Sequence, residues 1–203
     1  MENLSTIITQ SILSFSSNIQ ILLLFLFSYG EGLPVIGTIL PGGTIAILAG
    51  SLSENGVFSI QTALIAVIVG SFLGDVSGFL LGRKSRKIGF VKKLVEKESW
   101  QKNLEMFDRN FFIIVVFGKL IPGIRSAPSL LFGARNIGFK KYAFYSFVGS
   151  TLWGFMGIFM GNIMTKILGE YTIPIIVAIL ILIILVTVIT FIFKNKAKKI
   201  AQT

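Results

Sequence analysis

Apolar residues along this 203-residue chain fall into long blocks, and the blocks differ in whether anything breaks them. Phe58 to Gly82, Tyr142 to Asn162 and Ile173 to Phe193 are long enough to cross about 30 Å of hydrocarbon at about 1.5 Å per residue. Transmembrane helices are therefore predicted at 58–82, 142–162 and 173–193. Two other apolar stretches are interrupted. Ile19 to Phe27 is too short to cross and leads into SYGEGLPVIGTILPGGTIAILAG, Ser28 to Gly50, with Glu31, Pro34 and Pro41 inside. Phe111 to Phe117 leads into GKLIPGIRSAPSLLFGA, Gly118 to Ala134, with Lys119, Pro122, Gly123, Arg125 and Pro128. A transmembrane helix does not normally carry two cations and two prolines so close together, and a soluble loop would not sit between FFIIVVF and SLLFGA. A re-entrant hairpin reconciles the two, because broken backbone at membrane depth then lines a cavity instead of lipid. Hairpins are predicted at 19–50 and 111–134, turning at Pro41-Gly42 and Pro122-Gly123. Within residues 1–17, LSTIITQSILSFSS spaces Leu4, Ile7, Ile8, Ile12 and Phe15 as on a helix, either an interfacial amphipathic one or a partly polar packed one.

Polar segments are few. Residues 51–57 (SLSENGV) read as a short loop without a cation, and 163–172 as a weakly charged loop near Lys166 and Glu170. The segment 83–110 is the only long polar region and reads as one or two surface helices. Arg135, Lys140 and Lys141 form a short basic link, and KNKAKK opens a basic tail at 194–203. An internal repeat ties the halves together. VGSFLGDVSGFLLGR (Val69–Arg83) aligns without gaps on VGSTLWGFMGIFMGN (Val148–Asn162), matching Gly70 with Gly149, Ser71 with Ser150, Gly78 with Gly157 and Gly82 with Gly161. The predicted fold is a single all-α polytopic membrane domain over 1–203. It contains two inverted repeats, each a re-entrant hairpin followed by a glycine-lined span, and a C-terminal transmembrane helix.

Composition sharpens this. Hydrophobic residues make up 53% of the chain, and mean hydropathy is +0.82, far above soluble domains. With no Cys and no His, the chain has no disulfide, no thiolate nucleophile, no His general base and no common zinc site. The net charge of +10 is unevenly spread, since all 19 Lys and Arg lie between Arg83 and Lys199. That pattern marks membrane sidedness and an anionic lipid surface and not a nucleic-acid partner. Placing 83–110, 135–141 and 194–203 in the cytoplasm leaves 51–57 and 163–172 outside, and makes the hairpins enter from opposite faces. No secretory signal pattern opens the sequence.

Ionisable residues inside apolar segments are the functional candidates. Lys119 and Arg125 together would make a buried, positively charged anion pocket. Arg125 is either a phosphate ligand or the internal partner of Glu31 or Asp75. Glu31 is either a proton carrier or a structural partner of Arg125 or Lys119. Asp75, flanked by Gly70, Gly74 and Gly78, reads as structural, pairing with a hairpin cation. Arg83 reads as an interfacial anchor at a helix end. The span glycines read as close-packing positions.

Several of these residues are shared with a known family. Glu31 ahead of Pro41-Gly42, GDVSGFLLGR (Gly74–Arg83), GKLIPGIR (Gly118–Arg125), LFGA (Leu131–Ala134) and GSTLW (Gly149–Trp153) resemble the DedA family, the SNARE-associated or VTT-domain membrane proteins. The resemblance covers about Leu22 to Asn162. It implies lipid transport: bacterial members are associated with recycling undecaprenyl phosphate, others with phospholipid translocation or scrambling, with proton or sodium coupling suspected. By the same resemblance Glu31 matches the acid of the first hairpin and Arg125 the arginine after the second PG turn. Gly43 stands where the family commonly has an acid, and Lys119 where it usually has arginine. Lysine keeps the charge but lacks the bidentate fork.

The expected function is a flippase-like transporter moving the phosphate headgroup of a polyprenyl phosphate across a bacterial-type cytoplasmic membrane, with the C-terminus inside. Arg125 and Lys119 would bind the headgroup and Glu31 would couple a proton or cation. The alternatives are a phospholipid translocase or scramblase, or an ion-coupled small-anion transporter. No enzyme activity and no cofactor are expected, since the usual lipid phosphatase needs a His nucleophile and no G-x-x-x-x-G-K-[ST] motif is present. Whether copies associate as a homo-oligomer is left open by the sequence.

Overall fold

A computed structural model describes residues 16–34, 36–38, 43–85, 109–120, 125, 127–135, 137–179, 181–182 and 185–186. Nearly all of 1–17, most of 83–110, both predicted turns (Pro41-Gly42 and Pro122-Gly123) and the tail 194–203 lie outside them. Of the predicted span 173–193, helix is described over 172–179, 181–182 and 185–186.

The helices are α1 (Ser17–Gly32), α2 (Thr44–Glu54), α3 (Ile60–Ser85), α4 (Phe111–Phe117), α5 (Ala127–Ala134) and α6 (Phe139–Leu168), followed by α7 from residue 172. Short 3-10 turns follow α1 (Ile36–Thr38), α4 (Gly118–Leu120) and α6 (Gly169–Tyr171). Among the described residues there is no strand. Local chemistry explains the boundaries. α1 stops where Leu33 turns extended (φ −75°, ψ 136°), the conformation imposed on a residue before proline. α2 starts after Gly43 at φ 100°, a left-handed geometry that costs a side-chain-bearing residue about 1–2 kcal/mol. Ser59 caps α3 by accepting the Thr62 N–H at 3.2 Å. Pro128 sits in the first turn of α5, where its missing N–H would have had no helical partner.

Three boundaries differ from the sequence pattern. α1 persists through Tyr29, Gly30 and Glu31, beyond the expected break at Ser28, because its last turns are packed and buried against α3. The loop expected at 51–57 begins only after Glu54, since Ser51 and Leu52 are buried in the last turns of α2. The loop expected at 163–172 is mostly helix. α6 runs to Leu168, and the reversal is confined to 169–171, where Gly169 takes φ 57°.

Only α3 and α6 are long and apolar enough to cross a membrane, among the described residues. The four shorter arms pack on them in a crossed fashion. α1 and α5 lie along α3, while α2 and α4 lie along α6. Each long helix thus carries the first arm of its own half and the second arm of the other half.

Glycine sets the spacing of these seams. A Cβ on Gly50 would strike the Ile158 carbonyl, and one on Gly161 the Ile47 carbonyl. A Cβ on Gly133 would strike the Phe79 carbonyl, and one on Gly82 the Leu130 carbonyl. Phe79 and Ile158, like Gly82 and Gly161, hold matching places in the repeated sequence, so each contact has its counterpart in the other half. Ser17 donates to the Val57 carbonyl at 3.4 Å, which puts the start of α1 and the end of α2 at one end of the molecule. Phe111 packs on Phe132 with ring centroids 4.7 Å apart, which puts the start of α4 and the end of α5 together at the far end of α3.

Polarity is reversed relative to a water-soluble fold. Ile65 and Phe144 are 64% exposed and Ile167 75%, while Glu31 and Asp75 are 2% exposed and Lys119 and Arg125 4%. Two apolar layers bracket the buried charges. One contains Ala46, Ala49, Ala63, Ala66, Val67 and Ile158, toward the Val57 end. The other contains Phe79, Phe111, Phe132 and Tyr142, toward the opposite end. Gly161→Ala is expected to destabilise the detergent-solubilised protein by at least about 1–3 kcal/mol through overpacking. Gly138→Ala, which meets nothing within 4 Å, should change stability by no more than about 0.5 kcal/mol. Equal thermal unfolding of the two variants would contradict the close seam.

Candidate functional site

Four charged side chains meet between the two apolar layers. Glu31 comes from the last turn of α1, Asp75 from the middle of α3, Lys119 from the 3-10 turn after α4, and Arg125 from the link before α5. Glu31 and Asp75 are brought together by the tightest part of the α1–α3 seam. A Cβ on Gly32 would come within 2.8 Å of the Asp75 nitrogen, and a Cβ on Gly74 would strike the Tyr29 carbonyl. Only paired glycines let a carboxylate on each helix approach the same point.

The charges are arranged as two pairs. Arg125 Nη1 donates to Glu31 Oε2 at 2.5 Å, and Arg125 Nη2 donates to Ser71 Oγ at 3.2 Å. Lys119 Nζ pairs with Asp75 Oδ2 and also donates to Ser150 Oγ and, at 3.3 Å, to the Ser146 carbonyl. Ser146 Oγ donates to Asp75 Oδ2 at 2.7 Å. Glu31 Oε1 has no hydrogen-bond partner. The guanidinium of Arg125 lies over the Trp153 ring, 5.0 Å from its centroid, within cation–π range.

This arrangement corrects the expectation of a positively charged pocket. Two carboxylates accompany the two cations, so the cluster is formally neutral. The physical reason is the cost of burial: a lone cation in an apolar medium is expensive, and a paired, hydrogen-bonded one is tolerable.

The two cations are not equivalent. An ammonium has three donors, and the three partners of Lys119 saturate it. A guanidinium has five, and Arg125 keeps Nε without a partner. Lys119 therefore reads as a fastener between α3 and α6, and Arg125 as the cation with capacity to spare.

The other sequence candidates lie elsewhere. Arg83 is exposed in the last turn of α3, away from the charges. Pro41, Gly42, Pro122 and Gly123 fall outside the described residues. Sequence reasoning did not single out Ser71, Ser146, Ser150 or Trp153. The signal for two of them was present: Ser71 and Ser150 are matched in the repeated VGS, and each accepts from one of the two cations.

Long helices with apolar exteriors around a polar, ion-paired interior define a polytopic α-helical membrane protein. The sequence pattern of the VTT domain matches residues 40–163, more than half of the chain, and the chain belongs to that family, the DedA family. It is 28% identical over 162 residues to an uncharacterized membrane protein of Buchnera aphidicola subsp. Schizaphis graminum, covering 79% of this chain and 62% of that protein. It is 22% identical over 150 residues to Protein DedA of Escherichia coli K12, covering 70% and 68%. With the inner membrane protein YghB of the same organism it shares 26% identity over 118 residues, covering 56% and 53%. The chain spans less than two thirds of the Buchnera protein, and likewise of an uncharacterized Synechocystis membrane protein of which it covers 66%. No solved structure matches it.

Removing one member of a buried pair leaves the other uncompensated. Lys119→Met is expected to cost about 3–5 kcal/mol, and adding Asp75→Asn should recover most of that loss in thermal unfolding of the purified protein. A double variant as unstable as Lys119→Met alone would argue against a direct pair.

Proposed function

We propose that this protein is a transporter and not an enzyme, carrying the phosphate headgroup of a membrane lipid, a polyprenyl phosphate such as undecaprenyl phosphate, across the cytoplasmic membrane. The observation that carries the reading is Arg125: a buried guanidinium held by a single carboxylate, between interrupted segments, in a protein whose exterior is apolar. Lipid flipping is limited by the headgroup, since its charge is costly in hydrocarbon while its tail is not. A route therefore needs a cation at mid-depth that can exchange its partner. Family membership supports the reading at the level of membrane protein, and the resemblance of Glu31 and Arg125 to family positions supports the substrate class.

In this proposal α1–α2 and α4–α5 are re-entrant hairpins of two inverted repeats. The contacts that return each pair of arms to its own end, and the matched glycine contacts in the two halves, support it. At about 1.5 Å per residue α1 reaches about 24 Å and α2, α4 and α5 less, short of about 30 Å of hydrocarbon. Of the described surface cations, Arg83, Lys84, Arg109, Arg135, Lys140 and Lys141 belong to the segments at the α4–α5 end. Lys166 is near the other, 3.8 Å from Glu54. That distribution supports a cytoplasmic α4–α5 end and C-terminus.

The seams group α1, α3 and α5 into one body and α2, α4 and α6 into a second. Rocking one against the other would expose the charges to each face in turn, with Asp75–Lys119, Asp75–Ser146 and Arg125 over Trp153 among the contacts that span the two. Phosphate and Glu31 compete for the same guanidinium. A proton on Glu31 removes the competitor, so binding strengthens as pH falls, and headgroup and proton travel together.

The test uses proteoliposomes carrying a labelled polyprenyl phosphate, its leaflet read with an impermeant reagent, with and without a proton or sodium gradient. Arg125→Ala should abolish movement, and Arg125→Lys, which keeps charge but loses the fork, should slow it by at least about tenfold. Wild-type movement by folded Arg125→Ala would exclude the mechanism. Equal movement of a labelled phospholipid would favour the translocase or scramblase alternative, on the same reliance upon Arg125.

A further inference from the structure

In and beside the Glu31–Arg125 pair, three buried polar atoms have no partner: the donors Nε of Arg125 and Nε1 of Trp153, and the acceptor Oε1 of Glu31. The two nitrogens can only donate. They are neighbours, because the guanidinium lies over the indole ring at 5.0 Å. Arg125 itself is 4% exposed, and its Nη1 and Nη2 are already committed to Glu31 and Ser71. Nε is thus the atom left over on the side chain with the greatest need for a counter-charge.

Trp153 is also held in place. A Cβ on Gly43 would approach Trp153 Cη2 to 2.8 Å and Cζ2 to 2.9 Å, and Gly43 already has φ 100°. The bare glycine is what allows the indole to lie against the start of α2. For a ring whose only duty was to fill that space, phenylalanine would serve without burying an N–H. Buried indole N–H groups ordinarily find a partner. An unpaired one beside an unpaired cationic N–H puts two donors within reach of one acceptor.

We propose that Trp153 and Arg125 form a two-donor notch that holds one oxygen of an anionic phosphate, the indole N–H and the Nε–H donating to it together. The proposal rests on the reading of the protein as a carrier of lipid phosphates and extends it to Trp153 as a substrate-binding residue. Two donors, one of them on a cation, suit an oxyanion and favour phosphate over the hydroxyl of an uncharged prenol. Because the notch uses Nε, a headgroup can make its first contact there before it displaces Glu31 from Nη1. No intermediate with a bare buried carboxylate is then needed before the proton arrives. Phosphate could come from a lipid or from solution, and the notch chemistry is the same for either.

The chain has two tryptophans, Trp100 and Trp153, so Trp100→Phe leaves Trp153 as the sole indole reporter. The full-length Trp100→Phe protein in detergent is titrated with farnesyl phosphate, farnesol and inorganic phosphate. A saturable change in Trp153 emission with farnesyl phosphate and none with farnesol is expected. The same change with inorganic phosphate would keep the notch and assign it to the free anion. Calorimetric affinity for farnesyl phosphate should fall about tenfold in Trp153→Phe, the worth of one hydrogen bond to a charged group, at unchanged melting temperature. In Arg125→Ala it should be lost. Wild-type affinity in Trp153→Phe with loss in Arg125→Ala would overturn the notch and leave the carrier reading standing. Wild-type affinity in both would overturn both. Should Trp153→Phe fail to fold, the Trp100→Phe titration decides alone, and flat emission at saturation sinks the proposal.

Discussion

Charge burial in an apolar surrounding is the constraint that organises this molecule. Four ionisable side chains are buried between helices whose outer faces carry Ile65, Phe144 and Phe147. Separating a carboxylate from water costs several kcal/mol even after relaxation, and the cost is offset only by a well-placed counter-charge and further hydrogen bonds. Each acid here finds one base, and serines from the long helices add hydrogen bonds that complete the coordination of Lys119 but not that of the Glu31–Arg125 pair. The pairing is also what makes the site responsive. A saturated ion such as Lys119 is inert until something large moves, whereas Arg125 holds its partner with part of its donor capacity.

The glycine seams exist to make that pairing reachable. Without Gly70 and Gly74 against Ser28, Tyr29 and Gly32, α1 would stand farther from α3, and Glu31 and Asp75 would not share one centre. The same device recurs where α2 meets α6 and where α5 meets α3, with carbonyls lying where a Cβ would otherwise be. Because each long helix carries one arm from each half, the halves cannot drift apart as independent units. In the proposed rocking, every connection from α1 through α6 crosses the joint between the two seam-bound bodies, the interrupted segments 33–43 and 120–126 among them.

Much of this was legible in the residues and some was not, for definite reasons. Hydropathy located α3 and α6, and the clustering of proline, glycine and charge at 28–50 and 118–134 located the interruptions. Both signals are local. The extension of α1 through Glu31 was not legible, because Tyr29, Gly30 and Gly32 are weak helix formers alone and are kept helical by contact with α3. The neutrality of the charge cluster was only half legible: Lys119 and Arg125 are near each other in sequence, but Glu31 and Asp75 join them through tertiary packing. Ser71 and Ser150 were visible as a repeated pair without a role. Trp153 carried no local sign of its position, which depends on the conformation of Gly43 far away in the chain.

The two apolar layers above and below the charges are made of different material, and that difference has a mechanical meaning. Toward the α4–α5 end the layer is aromatic, with Phe79 stacked on Tyr142 at 4.4 Å and Phe111 edge-on to Phe132 at 4.7 Å. Toward the other end it is mostly aliphatic, with Ala46, Ala49, Ala63 and Ala66 among leucine, isoleucine and valine and Phe58 as its one buried ring. Aromatic rings bury about 150–250 Å² each, so parting them exposes more surface per residue than parting a layer in which alanines are mixed with larger aliphatic side chains. Unequal gates cannot drive net movement on their own. In the proposed carrier they would set different opening barriers on the two faces, the aromatic side being the slower door and the aliphatic side the one that yields first.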